Sequence, residues 1–194
     1  PDNVLLIHLS EAFLSRTLLE RMFMSGLFRR YNVVLKKRPI LTQTATATSL
    51  AGLGDLIVQM SSEKAFNTTK FLGFTAYAGA YSGPLMHFWF GFLARRFHSF
   101  PKMKGLLYKQ IVHHGFANPF MYAPSFYLAQ GVWLQKSYDE TLTTLKKNYF
   151  SLLQTTWVVW MPLTGVQFLF VPVQYQVLFA SSCVFFWNVF MASL

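Results

Sequence analysis

The chain has 194 residues, of which 53% are hydrophobic and 18% aromatic, while only 12% carry a charge. This composition is too apolar for an average soluble domain and too poor in charge for a disordered chain, so it indicates a membrane protein of one domain's length. A net charge of +10 would suit nucleic-acid binding. The Lys and Arg residues lie in short clusters between apolar runs, however, so we expect topology signals and contacts with anionic lipid headgroups, and no nucleic-acid partner.

Residues 1–30 are predicted to form an N-terminal amphipathic helix that lies at the membrane interface or against a partner. Glu11, Arg16, Glu20 and Arg21 interrupt its Leu, Phe and Met residues, so the stretch is too charged to cross a bilayer. The two acidic residues also make it a poor mitochondrial presequence, which leaves targeting open. The remainder, 31–194, is assigned to one transmembrane domain.

The first predicted span, 40–60, follows a basic cluster and Pro39, a residue favoured at the first position of a helix. Its many Thr, Ala, Ser and Gly residues allow another helix to approach closely, so we expect it inside the bundle. Asp55 is the only carboxylate in any predicted span, and Gln59 follows one turn later. Two interpretations stay open: a paired structural Asp near the interface, or a pore or proton-linked residue.

The second predicted span, 71–94, carries Gly79-x-x-x-Gly83, a pattern that permits close packing of helix backbones. Pro84 follows directly and should kink the helix because it removes a backbone donor. His87 lies one turn beyond. It either reaches the freed carbonyls, lines a cavity, or is a packing residue with its hydrogen bonds satisfied.

The third predicted span, 110–135, contains Pro119 and Pro124. We therefore expect a bent helix whose freed backbone groups need protein or water partners, so it should be buried against its neighbours. His113 and His114 lie at its head. Adjacent residues on a helix point about 100° apart and cannot share a metal ion as an i, i+4 pair can, so no metal site is expected.

Two stretches rich in charge, 95–109 and 136–147, are predicted to be loops, and the C-terminal stretch 148–194 contains no Asp, Glu, Lys or Arg. This last stretch can hold two spans with a break near Val171-Pro172. The predicted fold is thus an all-α, polytopic transmembrane bundle of four to five spans. The N-terminal flank and the stretch 95–109 hold ten Lys and Arg, against five in the stretch 136–147 and the polar connection 61–70 taken together. This difference places the N-terminal side in the positive-inside compartment.

A resemblance to a known family rests on three groups of residues. In chain order they are Arg38-Pro39 with Gly54-Asp55-Leu56, Gly83-Pro84 with His87-Phe88-Trp89, and Trp157-x-x-Trp160-x-Pro162 with Val171-Pro172. Together they resemble the Mpv17/PMP22 family of organellar integral membrane proteins, which is often described as forming weakly selective channels for small solutes. The resemblance implies a mitochondrial or peroxisomal membrane. We favour the mitochondrial inner membrane, although the end of the chain resembles the peroxisomal branch.

The chain departs from the family pattern at several polar positions. It has His113-His114 where relatives usually carry Asp-Gln, and Gln176 where an Arg is usual. Losing charged groups weakens a hydrated path. Our first hypothesis is therefore a structural or accessory subunit in a larger mitochondrial membrane assembly, with other membrane proteins as partners. The alternative is a weakly selective channel, and its candidate pore or polar-core residues are Asp55, Gln59, His87, His113 and Gln167.

Other positions are assigned to packing and not to chemistry. Neither a nucleophile with its base nor a phosphate-binding glycine loop is recognisable, so we expect no enzyme activity and no cofactor. A scaffold that binds a soluble complex through its basic N-terminal flank is a third possibility.

The helix-packing and kink residues are Gly79, Gly83, Pro84, Pro119, Pro124, Pro162 and Pro172, and the aromatic anchors are Trp89, Trp157, Trp160 and Trp187.

Overall fold

The computed structural model describes residues 26–62 and 65–192, and these residues are helical, with short connections and no strand in the described ranges. The all-α prediction is therefore confirmed. Most of the predicted N-terminal interfacial helix lies outside the described residues. The first described helix is α1 (Gly26–Lys37), and the chain divides into two compact units, of which the second runs from Ile40 onward.

Five helical rods follow one another in the described part, and π-helical segments interrupt three of them. The first rod is α2 (Pro39–Met60), and the second consists of α3 (Thr68–Ala80), π1 (Tyr81–Leu85) and α4 (Met86–Arg96). The third consists of α5 (Lys102–Val112), π2 (His113–Tyr122) and α6 (Ala123–Trp133), and the fourth of α7 (Tyr138–Thr155), π3 (Thr156–Trp160) and α8 (Met161–Phe170). The fifth is α9 (Gln176–Ala192), which follows a 3₁₀ turn (Val173–Tyr175). The first rod begins at Pro39, and the fourth ends just before the predicted break at Val171-Pro172.

Both stretches that were predicted as loops are largely helical, so that prediction was wrong. Helix α7 begins inside 136–147, where Ser137 and Glu140 form a capping box: Ser137 Oγ accepts a hydrogen bond from the Glu140 amide at 3.2 Å, and Glu140 Oε2 accepts one from the Ser137 amide at 3.0 Å. Helix α5 likewise begins at Lys102 within 95–109. The charged residues lie within these helices, where they extend beyond the apolar part of the bundle, and the helices do not end at them.

Each proline in the interior of a rod lies inside a π-helical segment or two residues after its end. Pro84 lies inside π1 and Pro119 inside π2, while Pro124 and Pro162 are the second residues of α6 and α8. A proline lacks the amide hydrogen and its ring clashes with the carbonyl one turn back, so the wider π turn accommodates it. The α-helical hydrogen-bond pattern is thus interrupted at Pro84 and Pro119, the two positions at which a kink and a bend were predicted.

The backbone carbonyls near Pro119 find partners on another rod, as expected for a bent helix. Trp157 Nε1 donates a hydrogen bond to the His114 carbonyl at 3.1 Å, and Tyr149 Oη donates one to the Pro119 carbonyl at 3.2 Å. Both donors belong to the fourth rod. The bend in the third rod is therefore stabilised by side chains of its neighbour.

A compact apolar cluster joins α4 to the beginning of α9. Met86, Phe90, Leu93 and Val177 are each at most 6% exposed and pack together, and we call these four residues the apolar plug. Phe90 also contacts the ring of Phe168, with 6.0 Å between the ring centroids. The plug holds the second, fourth and fifth rods together at one end of the bundle.

By length and apolar composition, one helix in the described part qualifies as a membrane span, namely Val173–Phe190. The other four rods are long, but Thr, Gly, Tyr, Gln and Pro residues are spread along them and lower their mean hydropathy. Polar and small residues of this kind suit helices that pack on other helices within a membrane.

Gly79 and Gly83 of the second rod lie where α2 approaches it. A Cβ atom on Gly83 would lie 2.7 Å from Thr44 Cα, and one on Gly79 would lie 3.5 Å from Thr48 Cβ. The first of these distances is too short for any side chain, so the two backbones could not stay as close if Gly83 were replaced.

We expect Gly83→Ala to lower the free energy of unfolding by about 1–3 kcal/mol, because the added methyl group overpacks the contact with Thr44. Thermal unfolding in detergent, followed by tryptophan fluorescence, measures the change. Gly115→Ala is the matched control, since a Cβ there meets nothing within 4 Å. Equal melting temperatures for the two variants would contradict the close approach of α2.

Candidate functional site

A cavity of about 150 Å³ lies in the middle of the bundle, and we call it the central cavity. All three π-helical segments contribute to its wall. Segments of this kind occur frequently at functional sites, because the wider turn displaces side chains from the regular helical positions. The wall residues that come from these segments are Tyr81, Ser82, His113, Asn118, Tyr122, Thr156 and Trp160.

His113 presents an uncharged ring to the central cavity. Trp89 Nε1 donates a hydrogen bond to His113 Nδ1 at 2.9 Å. An indole nitrogen can only donate, so Nδ1 carries no proton and the imidazole is neutral. The ring is buried and lies between Phe90 and Phe168.

A chain of hydrogen bonds in the wall of the central cavity links the third rod to the fourth. Asn118 Nδ2 and His114 Nδ1 are 2.8 Å apart, and His114 Nε2 and Thr164 Oγ1 are also 2.8 Å apart. Thr164 in turn donates to Gln110 Oε1 at 2.8 Å, and Gln110 Nε2 donates to the Met161 carbonyl. These polar groups satisfy one another, so they fix the relative position of the rods at the depth of the cavity.

Gln167 is the exception among the polar groups of the wall. It is 1% exposed, it lines the central cavity, and its Nε2 atom has no hydrogen-bond partner. A buried amide donor without an acceptor is costly, and native structures contain few of them. Gln167 therefore has unused hydrogen-bonding capacity.

A second cavity, of about 280 Å³, lies where α2 ends and α3 begins, and we call it the Asp55 cavity. Asp55 is 5% exposed, and its Oδ1 lies 3.1 Å from Lys70 Nζ, while Gln59 Nε2 donates to its Oδ2 at 2.6 Å. Gln59 Oε1 accepts a hydrogen bond from the Asn67 amide at 2.7 Å. The carboxylate is thus paired with a cation and held by an amide, and both partners lie near one end of the bundle.

The two cavities adjoin each other. Phe74 and Phe126 line both of them, so these two residues lie between the Asp55 cavity and the central cavity. At the far end, Met86, Phe90 and Val177 of the apolar plug line the central cavity. Phe74 and Phe90 are sixteen residues apart on one rod, so the two cavities and the plug follow most of the length of the bundle, at about 1.5 Å per residue.

His87 lies outside both cavities. Its Nδ1 is 2.8 Å from Gln43 Oε1, and Gln43 Nε2 donates to the Gln174 carbonyl at 3.1 Å. The ring therefore connects the second rod to α2 and, through Gln43, to the turn before α9. Its partner is a side chain and not a carbonyl freed by Pro84.

The predicted polar-core residues thus fall into three groups. His113 and Gln167 line the central cavity, Asp55 and Gln59 belong to the cluster at the second cavity, and His87 bonds to Gln43. The anchors Trp89 and Trp157 donate to other rods, Trp160 lines the central cavity, and the ring of Trp187 lies 6.2 Å from that of Phe190 on α9.

Sequence reasoning missed four buried polar residues that belong to these networks. Their sequence signal is weak, because a single amide or hydroxyl in an apolar helix has no characteristic spacing. One usable signal was that Asn118 lies four residues after His114, which places both on one helix face. The four residues are Gln43, His114, Asn118 and Thr164. Among the residues with described positions, no group of three or more His, Cys, Asp or Glu side chains is arranged to hold a metal ion.

Comparisons with known proteins place the chain among membrane proteins of organelles. The chain is similar to Protein sym-1 of Neurospora crassa, at 30% identity over 84% of this chain and 96% of the relative. It is 26% identical to the mitochondrial inner membrane protein Mpv17 of Caenorhabditis briggsae, over 84% and 90% of the two chains. It is also 26% identical to peroxisomal membrane protein 2 of Bos taurus, over 85% and 87%. No solved structure matches.

The names of these relatives include both membranes that the sequence indicated, so the expectation of an organellar membrane protein is confirmed. The model of the Mpv17 / PMP22 family matches residues 131–192, a range that includes Trp157, Trp160, Pro162 and Pro172. Since a relative at 30% identity is also covered over nearly its full length, this chain belongs to the Mpv17/PMP22 family of mitochondrial and peroxisomal membrane proteins.

Proposed function

We propose that this chain is a non-catalytic membrane protein that provides a weakly selective path for small solutes across an organellar membrane. The observation that carries the proposal is the pair of adjoining cavities inside the bundle. A hydrated path needs polar groups that face inward, since purely apolar walls exclude water. Asp55 and Lys70 supply such groups in the Asp55 cavity, and Asn118, Thr164 and Gln167 supply them in the central cavity.

In this proposal all five rods cross the membrane. The first four rods are each longer than the roughly 20 residues that a bilayer requires. The fifth rod reaches about this length when the 3₁₀ turn before α9 is included. Large apolar side chains point outward, including Phe120, Phe150 and Val158, which are 67%, 74% and 75% exposed. Exposed apolar surface of this extent is stable against lipid and unfavourable in water.

The location and the lipid contacts follow from the same arrangement. Relatives named for the mitochondrial inner membrane and for the peroxisomal membrane match equally well, and we favour the former. The basic residues at the start of α5 suit anionic headgroups. Lys102 Nζ, for example, lies 5.4 Å from the centroid of the Phe170 ring, which places its charge at the end of the fourth rod.

Solute flux through reconstituted vesicles tests the proposal. We expect vesicles that contain the purified chain to reswell faster in a glycerol gradient than protein-free vesicles, as measured by light scattering. Phe126→Trp enlarges one of the two rings between the cavities and should slow reswelling by about fivefold or more, because the constriction narrows. The control is Phe116→Trp, whose position is 53% exposed. Reswelling no faster than that of protein-free vesicles would overturn the proposal.

An accessory subunit is the second candidate function, and one feature of the third rod favours it. Met103, Leu107, Ile111, Phe116 and Phe120 are each more than half exposed. They follow one another at spacings of four residues, with one spacing of five at π2, so they form a continuous apolar ridge. Such a ridge suits a neighbouring membrane helix. Native-gel migration of the chain in mild detergent separates the two functions, since an accessory subunit must migrate with a large complex.

A further inference from the structure

Four exposed cations lie where the second rod ends and the third begins. Arg95 and Arg96 belong to the last turn of α4, and Lys102 and Lys104 belong to the first turn of α5. Only residues 97–101 connect the two helices, so the four side chains stay close together. Within the part of the chain that the structure describes, none of the four forms an ion pair.

The three carboxylates of the described chain lie at the opposite end of the bundle. Asp55 lies beside the start of the second rod, whereas the cations lie at its other end, about 40 Å away at about 1.5 Å per residue. Asp139 and Glu140 lie in the first turn of α7. That turn closely follows Trp133, whose ring lies 6.2 Å from the ring of Phe74 near the start of the same second rod. The cations therefore have no counter-charge within the described chain.

The apolar ridge of the third rod begins between two of these cations. Met103 lies between Lys102 and Lys104 in the sequence, and Leu107 and Ile111 follow it along α5 at spacings of four residues. Residues at this spacing share one face of a helix. All three apolar side chains are more than half exposed. An exposed apolar strip thus runs from a pair of lysines toward the middle of the bundle.

A phospholipid has the same order of chemical groups, with a phosphate at the interface and an acyl chain along the span. Lysine ammonium groups form charge-assisted hydrogen bonds with phosphate oxygens. The ring of Phe170 holds the ammonium group of Lys102 at the end of the fourth rod, beside the start of α5. Basic sites between membrane helices are suited to anionic headgroups. Charge and shape at this corner therefore favour a lipid of negative charge.

We propose that an anionic phospholipid binds at the start of α5, with its phosphate on Lys102 and Lys104 and an acyl chain along Met103, Leu107 and Ile111. Such a site differs from a general attraction to headgroups, because one lipid occupies a fixed position and covers this part of the apolar ridge. The site rests on the proposed function in requiring that the rods cross a membrane, but it does not require that solutes pass.

Native mass spectrometry of the full chain in detergent measures the binding of two lipids with identical acyl chains, dioleoyl-phosphatidylglycerol and dioleoyl-phosphatidylcholine. Only the first has a net negative charge. We expect its apparent Kd to be lower by about tenfold or more, because each lysine beside an anionic headgroup contributes a factor of about five.

Lys102→Gln combined with Lys104→Gln should reduce this preference to about threefold or less, since only the neighbouring arginines then attract the headgroup. Lys146→Gln combined with Lys147→Gln is the matched control, because it removes the same charge from exposed positions on α7. The control should keep the full preference. All four positions are exposed, so the melting temperatures should stay close to that of the unmodified chain.

Leu107→Ala combined with Ile111→Ala tests the acyl-chain contact separately from the headgroup. This variant should weaken the binding of both lipids by about threefold or more while the preference for the anionic lipid remains, because it removes apolar contact area and no charge. Val132→Ala combined with Val158→Ala shortens two exposed side chains elsewhere on the bundle and should leave binding unchanged.

Equal binding of the two lipids by the unmodified chain would overturn the proposal, as would an undiminished preference in the folded variant that lacks Lys102 and Lys104. A protein helix is the other possible occupant of the ridge. If Leu107→Cys cross-links to another protein in the native membrane, a protein covers the ridge and the lipid site is wrong.

Vesicle reswelling separates this proposal from the solute path. If the preference for the anionic lipid depends on the two lysines, but vesicles that contain the chain reswell no faster than protein-free vesicles, the path is wrong and the lipid site stands. If the vesicles reswell faster and the chain shows no preference between the lipids, the path stands and the lipid site is overturned.

Discussion

Lys70→Met is expected to lower the free energy of unfolding by about 2 kcal/mol, because it leaves the Asp55 carboxylate buried without its cation. The two groups are 3.1 Å apart, and Asp55 is 5% exposed. The full cost of breaking a buried ion pair would be larger, but the side chain of Lys70 is 40% exposed and water screens part of the interaction. Chemical unfolding in detergent, followed by tryptophan fluorescence, measures the loss.

A double-mutant cycle isolates the pair from other effects. Asp55→Asn keeps an acceptor for Gln59, so we expect it to cost less than Lys70→Met. The combination of Asp55→Asn with Lys70→Met should recover most of the lost stability, since it removes both charges together. Lys147→Met, at an exposed position on α7, is the control for losing a lysine. A double variant whose loss of stability equals the sum of the two single losses would show that the two charges are not coupled.

Phe90→Ala is expected both to destabilise the chain, by about 3–5 kcal/mol, and to speed the passage of glycerol by about tenfold if folding is retained. Phe90 is 3% exposed and is the largest residue of the apolar plug, which closes the central cavity at the end away from Asp55. Removing its ring leaves a gap between Met86, Val177 and Phe168. Melting temperature and vesicle reswelling measure the two effects on one preparation.

Phe120→Ala is the matched control for this variant, because its ring is 67% exposed and forms no part of the plug. It should change neither stability nor flux appreciably. Phe90→Leu should fall between the unmodified chain and Phe90→Ala in both measurements. A folded Phe90→Ala protein with unchanged flux would mean that the barrier to passage lies elsewhere than in the plug.

The parts of the fold that the sequence predicted well depend on local chemistry. Pro39 begins a helix, Pro84 and Pro119 interrupt helices, and the chain breaks at Val171-Pro172, because proline restricts its own backbone wherever it occurs. The start of α7 was mispredicted although Ser137 and Glu140 form a recognisable capping box, since the surrounding charges were interpreted as a loop.

The candidate site was harder to predict, because its contacts join residues far apart in the chain. His114 and Thr164 are fifty residues apart, and Gln43 and Gln174 are 131 apart. No periodicity within one helix can indicate such pairs. His113 and Gln167 were named as candidates and do share a cavity, whereas His87 and Asp55 were named with them and lie in other networks.

The π-helical segments bear on how this bundle responds to changes in chain length. A π turn holds about one residue more than an α turn, so each segment corresponds to a helix with one residue inserted. Deleting a single residue from Tyr81–Leu85 would shorten the π turn to an α turn and leave the orientation of the rest of the rod nearly unchanged, because the π turn absorbs the extra residue. Tyr81 and Ser82, which line the central cavity from this segment, would then return to regular helical positions. We therefore expect that inserting or deleting a single residue creates or removes an interior space in such a bundle more readily than a substitution does.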